Sequence, residues 1–129
     1  MRFFDTNILI YAKTNDSKAE RARAEIAAGG WISVQVLSEF VNVMRNEFRH
    51  PWDYIDASLD AINGAVRGIV SLTPDIQATA YALAKRDGIG IYDSLIVAAA
   101  QAAGCTDLVT EDMQDGRRFG DLTIRNPFR

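Results

Sequence analysis

A chain of 129 residues, 48% hydrophobic and 24% charged, has the size and composition of one ordinary globular domain with a single sizeable core, and no low-complexity or Pro/Gly/Ser-rich tract marks a linker. The formal net charge of -3 is unfavourable for nucleic-acid binding, where affinity comes largely from Lys and Arg displacing counterions, so a polyanionic substrate requires the basic residues to be locally concentrated. The single cysteine, Cys105, excludes an intrachain disulfide and a cysteine-based zinc site, and the single histidine, His50, excludes a ribonuclease built on a histidine pair.

The start, Met1-Arg2-Phe3-Phe4-Asp5, has neither the basic nor the apolar stretch of a signal peptide. The longest apolar run, Leu95 to Ala100, falls far short of the roughly 20 residues that span a bilayer. A cytoplasmic protein without membrane contact is expected. Phe3-Phe4 reads as a short strand stopping at Asp5-Thr6-Asn7, and Ile8 to Ala12 as a buried helix. A charged helix runs from about Ser17 to Ala28, ended by Gly29-Gly30, and Trp31-Ile32-Ser33 is a second strand. From Gln35 to about Phe48, Val36, Leu37, Phe40, Val41 and Met44 recur at helical spacing, with Glu39 on the flank of that face.

His50-Pro51 breaks this helix, and Trp52 to Val66 gives another, with Ile55, Leu59 and Ile62 inside. Ile69 to Leu72 is a third strand, and Pro74 opens a helix reaching Arg86. Asp93 to Ala103 is apolar nearly all round, as in a centrally packed helix. Leu108 to Thr110 is a fourth strand, a polar loop runs through Asp112 and Asp115, and Leu122 to Ile124 is a fifth. Strands alternating with helices predict an α/β domain, residues 1–129, with a mainly parallel central sheet of four to five strands. Sites in such sheets form at the carboxyl ends of strands, where Asp5 and Asp112 both fall.

Each acid has an ordinary explanation. Asp5 precedes a helix and suits a capping role, which Thr6 could share. Glu39 at the edge of an apolar face could be a solvated glutamate, although Leu37 and Phe40 beside it make an unpaired carboxylate costly. Asp93 is favoured by the dipole of the helix it opens, and Asp112 stands in a loop with Glu111 and Asp115 where a polar turn suffices. Convergence changes their meaning. Several carboxylates at one point raise one another's pKa unless a cation neutralises them, and all-oxygen ligands suit Mg²⁺ or Mn²⁺ where zinc recruits His or Cys. Such a site polarises a phosphate and lowers the pKa of bound water. A Ser-His-Asp triad would have to use His50 beside Pro51, and neither a G-x-S-x-G elbow nor a phosphate loop is present. Four acids at one site account for the negative excess, leaving Lys18, Arg21, Arg23, Arg45, Arg49, Arg67, Arg117 and Arg118 as candidates for a basic rim.

Four segments together, Phe4-Asp5-Thr6-Asn7-Ile8-Leu9-Ile10-Tyr11, Leu37-Ser38-Glu39-Phe40, Tyr92-Asp93-Ser94-Leu95-Ile96-Val97-Ala98-Ala99-Ala100 and Thr110-Glu111-Asp112-Met113-Gln114-Asp115-Gly116, resemble the PIN-domain ribonucleases, in particular the VapC toxins of bacterial type II toxin–antitoxin pairs. The resemblance spans the chain in order, spacing and length. It implies an α/β/α sandwich and a Mg²⁺-dependent endoribonuclease, with Mn²⁺ as a substitute. It further implies a homodimer and a cognate VapB-type antitoxin. By the same likeness Asp5, Glu39, Asp93 and Asp112 are the catalytic and metal-binding acids, with Thr6, Asn7 and Thr110 as polar companions and Asp115 as the rival for the fourth acidic position. Two alternatives stand beside this one. A receiver-like Mg²⁺-binding regulatory domain would need a lysine after a late strand, which the segment after Val109 does not supply, and a PIN-fold nuclease acting on DNA or another phosphate ester would keep the fold and change the substrate. Trp52, Tyr54 and Ile55 are the expected apolar groove for an antitoxin helix.

Overall fold

Phe3 and Phe4 are neighbours in the first strand, β1 (Arg2–Phe4), and so point to opposite faces of the sheet, yet both are completely buried in the computed structural model, which describes residues 1–129. A strand buried on both sides must be covered on both sides, as in an α/β/α sandwich. The helices are α1 (Thr6–Tyr11), α2 (Ala19–Ala27), α3 (Val34–Asn42), α4 (Trp52–Ala65), α5 (Pro74–Asp87) and α6 (Ile91–Ala102). The remaining strands are β2 (Trp31–Ser33), β3 (Gly68–Val70), β4 (Asp107–Val109), β5 (Arg118–Phe119) and β6 (Leu122–Arg125).

The strand order is β3-β2-β1-β4-β6-β5, parallel throughout except for β5. β1 pairs with β2 on one side and, in the register Phe3 opposite Leu108, with β4 on the other. The chain therefore winds outward from β1 in one direction and returns to build the other half of the sheet from β4. The crevice at that reversal, beyond the carboxyl ends of β1 and β4, is where doubly wound sheets bind ligands. Around it the core is continuous and includes Ile8, Ile32, Phe40, Ile96, Leu108 and Ile124, all essentially inaccessible to solvent. No helix is long and apolar enough to cross a membrane.

The mainly parallel α/β sandwich is as expected, with three local differences. A sixth strand, the two-residue β5, forms an antiparallel hairpin with β6 across Gly120-Asp121, where Gly120 has φ +60°. Gly-Asp between two short apolar runs is a hairpin signal, but a two-residue strand carries no periodicity by which to see it. Helix α6 starts at Ile91 rather than at Asp93, so Asp93 sits inside the first turn, where the helix dipole still favours an acid. The helix expected to run unbroken to about Phe48 leaves α geometry at Asn42 and continues as a π-helical turn, Val43–Glu47, followed by Arg49 in the left-handed region at φ +56°. Phe40, Met44 and Phe48 are four residues apart and would share one face of an α-helix. The wider turn rotates the last of them away: Met44 stays in the core and Phe48 is 47% exposed.

Packing against β1 leaves no room at Gly30. A Cβ there would meet the Phe4 ring at 2.7 Å and the Arg2 carbonyl oxygen at 2.8 Å, whereas one on Gly64, in the exposed last turn of α4, would meet nothing. Gly30→Ala is expected to destabilise the fold by about 1–3 kcal/mol and Gly64→Ala to stabilise it by roughly 0.5–1 kcal/mol, both read from denaturant melts.

Candidate active site

Because β1 and β4 are adjacent and in register, the residues that follow them are brought side by side. The Asp5 amide donates to the Val109 carbonyl at 3.0 Å, placing Asp5 beside Thr110. The Thr110 hydroxyl donates to Asp5 Oδ2 at 2.8 Å, while Asp5 Oδ1 accepts from the Thr6 amide at 2.7 Å. Asp5 is thus the helix cap that its position suggests, with one oxygen; the other is tied across the sheet. The Thr110 oxygen also accepts from Asn7 Nδ2 and from the Asp112 amide, each at 3.1 Å. Asn7 extends the network, donating to Asp112 Oδ2 at 3.2 Å and accepting from the Glu111 amide at 3.1 Å. On the other flank the Thr6 hydroxyl donates to Glu39 Oε1 at 2.7 Å. Three carboxylates, Asp5, Glu39 and Asp112, are joined by three polar side chains.

Asp93 joins from α6. Its carboxylate is exposed and has no hydrogen-bond or ion-pair partner, but the turn that carries it is fixed: buried Gln35, one turn before Glu39 on α3, donates to the Tyr92 carbonyl at 3.2 Å. Asp115, by contrast, lies outside the group. Its Oδ1 accepts from the Asn126 amide at 2.8 Å, and its Oδ2 is 3.8 Å from Arg129. Of the two loop aspartates, Asp112 is the one connected to Asp5.

Electrostatics tie the acids together. Asp5, only 6% exposed, has its pKa raised to about 6, chiefly by burial; the bonds from Thr110 and Thr6 hold it down, while the charges of Glu39 and Asp112 push it further up. Asp93 is raised as well, first by partial burial and then by Asp112. No three His, Cys, Asp or Glu side chains are drawn together tightly enough to enclose a metal ion. The donor set, all carboxylate, hydroxyl and amide oxygens beside mutually repelling charges, nevertheless has the chemistry of a hard divalent cation site.

Several contacts of this region had no individual signal in the sequence. Lys18 forms an ion pair with Glu111, whose carboxylate also faces the Tyr11 hydroxyl; both contacts hold Glu111 below the usual carboxylate range. A cavity of about 530 Å³ opens beside the acids, bounded by Asn7, Tyr11, Asp16, Phe48, Glu111 and Asp112. Phe48 hides in the sequence as one more apolar residue of the α3 stripe. The expected basic rim is only partly built. Lys18 and Arg21 are neutralised by Glu111 and Glu25, Arg23 donates to the carbonyls of Ala12 and Thr14, and Arg117 to that of Asp87. Arg49, Arg67 and Arg118 have no acidic partner, and Arg45 with Arg49 and Asn46 lines a polar cavity of about 390 Å³.

Comparison with known proteins finds a family match over nearly the whole chain: the sequence model described as the PIN domain covers residues 2–118. Among solved structures, a toxin–antitoxin complex from Klebsiella pneumoniae superposes with a TM-score of 0.76 at 22% identity, covering 98% of each chain. The sarcin–ricin-loop-cleaving toxin VapC20 of Mycobacterium tuberculosis gives 0.68 at 19% identity, covering 84% of this chain and 87% of its own. VapBC2 of Rickettsia felis, bound to a DNA fragment from its promoter, gives 0.68 at 22% identity over 97% of each chain. At such identities the likeness is one of fold. No curated protein matches the chain.

The raised pKa of Asp5 has a thermodynamic consequence. A carboxyl raised from 3.8 to about 6 stabilises the folded protein while neutral, fully so below pH 4, and that contribution is lost as pH rises through about 6. The loss amounts to at most about 3 kcal/mol. Metal-free Asp5→Asn is therefore expected to melt above the wild type at pH 8, with the difference shrinking toward pH 4. Calorimetry in a chelating buffer measures it, and an equal difference at both pH values contradicts the assignment.

Proposed function

The chain belongs to the PIN-domain family, and from that premise we propose that residues 1–129 form one PIN domain acting as a metal-dependent endoribonuclease, the toxin of a VapBC-type toxin–antitoxin pair. The observation that carries this reading is the Thr110-centred network, which assembles Asp5, Glu39 and Asp112 at the crevice between β1 and β4 with Asp93 alongside. Descriptions of the similar structures support the toxin assignment: one is a toxin–antitoxin complex and another a toxin that cleaves the sarcin–ricin loop. The receiver-like alternative is set aside by the family match.

Asp5, Glu39, Asp93 and Asp112 would hold Mg²⁺ or Mn²⁺, which when bound neutralises the scissile phosphate and makes water nucleophilic. The chain's own contribution is orientation. The bond from Thr110 and the Thr6 amide fix both oxygens of Asp5, the Thr6 hydroxyl aims Glu39, and Asn7 aims Asp112. Asp93, whose carboxylate has no hydrogen-bond or ion-pair partner, would complete the set from α6. Asp5 and Asp93 would be the principal ligands, and Glu39 and Asp112 would hold a second ion or orient the attacking water. Attack at phosphorus with departure of the 3′-oxygen leaves a 5′-phosphate and a 3′-hydroxyl. The protein works in the cytoplasm as a homodimer.

Of the apolar groove expected at Trp52, Tyr54 and Ile55, Trp52 is 54% exposed and the other two are engaged within the fold. Ile55 is 1% exposed and belongs to the core, and Tyr54 stacks on His50 with ring centroids 4.0 Å apart. We assign the antitoxin instead to an apolar groove between α1, α2 and α4, a cavity of about 320 Å³ floored by Leu9, Ala12, Ile26, Ala61 and Ile62 and edged by Lys13 and Arg23. An amphipathic antitoxin helix with acidic flanks matches its apolar floor and basic edge.

Purified protein with Mg²⁺ is expected to cut single-stranded RNA and to spare DNA of the same sequence. Asp5→Asn and Asp93→Asn lose at least about 100-fold with unchanged circular dichroism, and Thr110→Val about 10- to 100-fold. Full cleavage by either aspartate variant sinks the assignment, and preferential cleavage of DNA favours the alternative substrate. For the groove, Ala61→Arg, at an exposed position, is expected to leave cleavage intact and to abolish neutralisation by the antitoxin encoded beside the gene.

A further inference from the structure

We propose that the cavity beside the carboxylates is a nucleobase subsite, in which Phe48 stacks on an unpaired base flanking the scissile phosphate and Asp16 reads that base's edge in favour of guanine. The proposal rests on the ribonuclease reading above and names the substrate feature which that site selects.

Position comes first. Asn7 and Asp112 belong both to the carboxylate network and to the cavity wall, so whatever fills the cavity is immediately next to the reacting phosphate. Its volume, about 530 Å³, is in the range of small-molecule sites and ample for one base. The aromatic wall is built at a cost. Phe48 reaches the cavity only because the backbone leaves α geometry over Val43–Glu47 and closes with a non-glycine residue, Arg49, at φ +56°. Such π turns and left-handed residues concentrate at functional sites. Phe48 leaves about half of its surface, 47%, open to solvent at the cavity wall. Its ring is nonetheless steadied from behind, edge-on to His50 at 6.1 Å, and His50 in turn stacks on Tyr54. Tyr11, edge-on to Phe128 at 5.3 Å, already carries the Lys18 ammonium 5.0 Å over its ring, which leaves Phe48 as the stacking face. Fixed, solvent-facing aromatic rings are the platforms on which single-stranded nucleic acids stack.

The edge of the cavity is acceptor-rich. Asp16 uses Oδ1 locally, accepting from the Lys18 amide at 2.9 Å and the Ser17 hydroxyl at 3.5 Å, and leaves Oδ2 without a partner. A carboxylate only accepts. Guanine offers two adjacent donors, N1–H and the 2-amino group, on its Watson–Crick edge, and both can converge on the one free oxygen, whereas each other base places an acceptor beside its single donor group and turns that acceptor toward the carboxylate. Charge completes the match. Arg45, its guanidinium 4.5 Å above the Trp52 ring, and Arg49 stand on the turn that carries Phe48, facing a second polar cavity suited to the next backbone phosphate. A local pair of arginines thus answers the unfavourable net charge of -3.

The test uses the full chain and single-stranded RNA oligonucleotides that differ only at the nucleotide flanking the cut. Wild type is expected to prefer guanine there, Phe48→Ala to raise KM roughly tenfold or more, and Asp16→Asn to flatten the preference among bases. An abasic residue at that position should cost wild type the same factor, with no further loss on adding Phe48→Ala. In parallel, fluorescence anisotropy with the Asp93→Asn protein measures RNA binding independently of cleavage. Unchanged binding on adding Phe48→Ala, together with an unaltered base preference in Asp16→Asn, overturns the subsite even where RNA is cut. Absence of wild-type cleavage overturns the nuclease reading alone, and a tenfold loss of binding on adding Phe48→Ala then still supports the subsite.

Discussion

The hydrogen bond from the Thr110 hydroxyl to the Asp5 carboxylate, 2.8 Å long and buried, is the contact on which the rest of the site depends. It joins the residue after β1 to the residue after β4, strands that are 105 positions apart in sequence and adjacent in the sheet. The same oxygen accepts from Asn7 and from the Asp112 amide, so a single side chain sets the spacing between the start of α1 and the acidic loop. Losing it frees the carboxylate of Asp5, the amide of Asn7 and the loop together. A threonine suits the position because a hydroxyl donates to one group while accepting from others, which neither a carboxylate nor an amide nitrogen can do.

Around this contact the molecule is built in conflict with itself. Hydrophobic packing carries Asp5 into the interior, where its charge is disfavoured, and Glu39 and Asp112 make matters worse. The Thr110 hydroxyl and the Thr6 backbone amide partly compensate, yet the pKa of Asp5 remains raised, so the metal-free site costs stability at neutral pH. Regions that spend stability in this way are more often functional than structural. A divalent ion among these oxygens would offset the mutual repulsion and the cost of burying the charge, and on the proposed reading the binding of metal and the stability of the crevice are one equilibrium.

A second conflict lies in the turn after α3. Continuing the α-helix would bury Phe48 with Phe40 and Met44 and satisfy the apolar stripe. Instead the chain accepts a π turn and a left-handed arginine, and Phe48 faces solvent beside the acids. The geometry departs from local rules at the same end of the sheet as the buried carboxylate. The hydrophobic core, by contrast, follows those rules with little exception.

Much of the fold was legible in the sequence. Strands of three residues such as Trp31–Ser33 were visible because each interrupts a helical period and is bounded by glycine or a capping residue. The alternation of strands and helices left a parallel sheet as the only economical architecture, and Asp5 and Thr110 could be placed at one edge because both end apolar runs. What the sequence could not decide was pairwise. That Asp112 and not Asp115 meets Asn7, that Glu39 is held by Thr6, that Lys18 is spent on Glu111, and that the apolar groove lies between α1, α2 and α4 are all matters of which distant segments touch. The hairpin of β5 and the π turn were missed for a related reason, being too short or too similar in pattern to an ordinary helix. Periodicity reports which face of an element is buried, because burial repeats with the backbone. It carries no record of the partner across the crevice, and the chemistry of this protein resides in those partners.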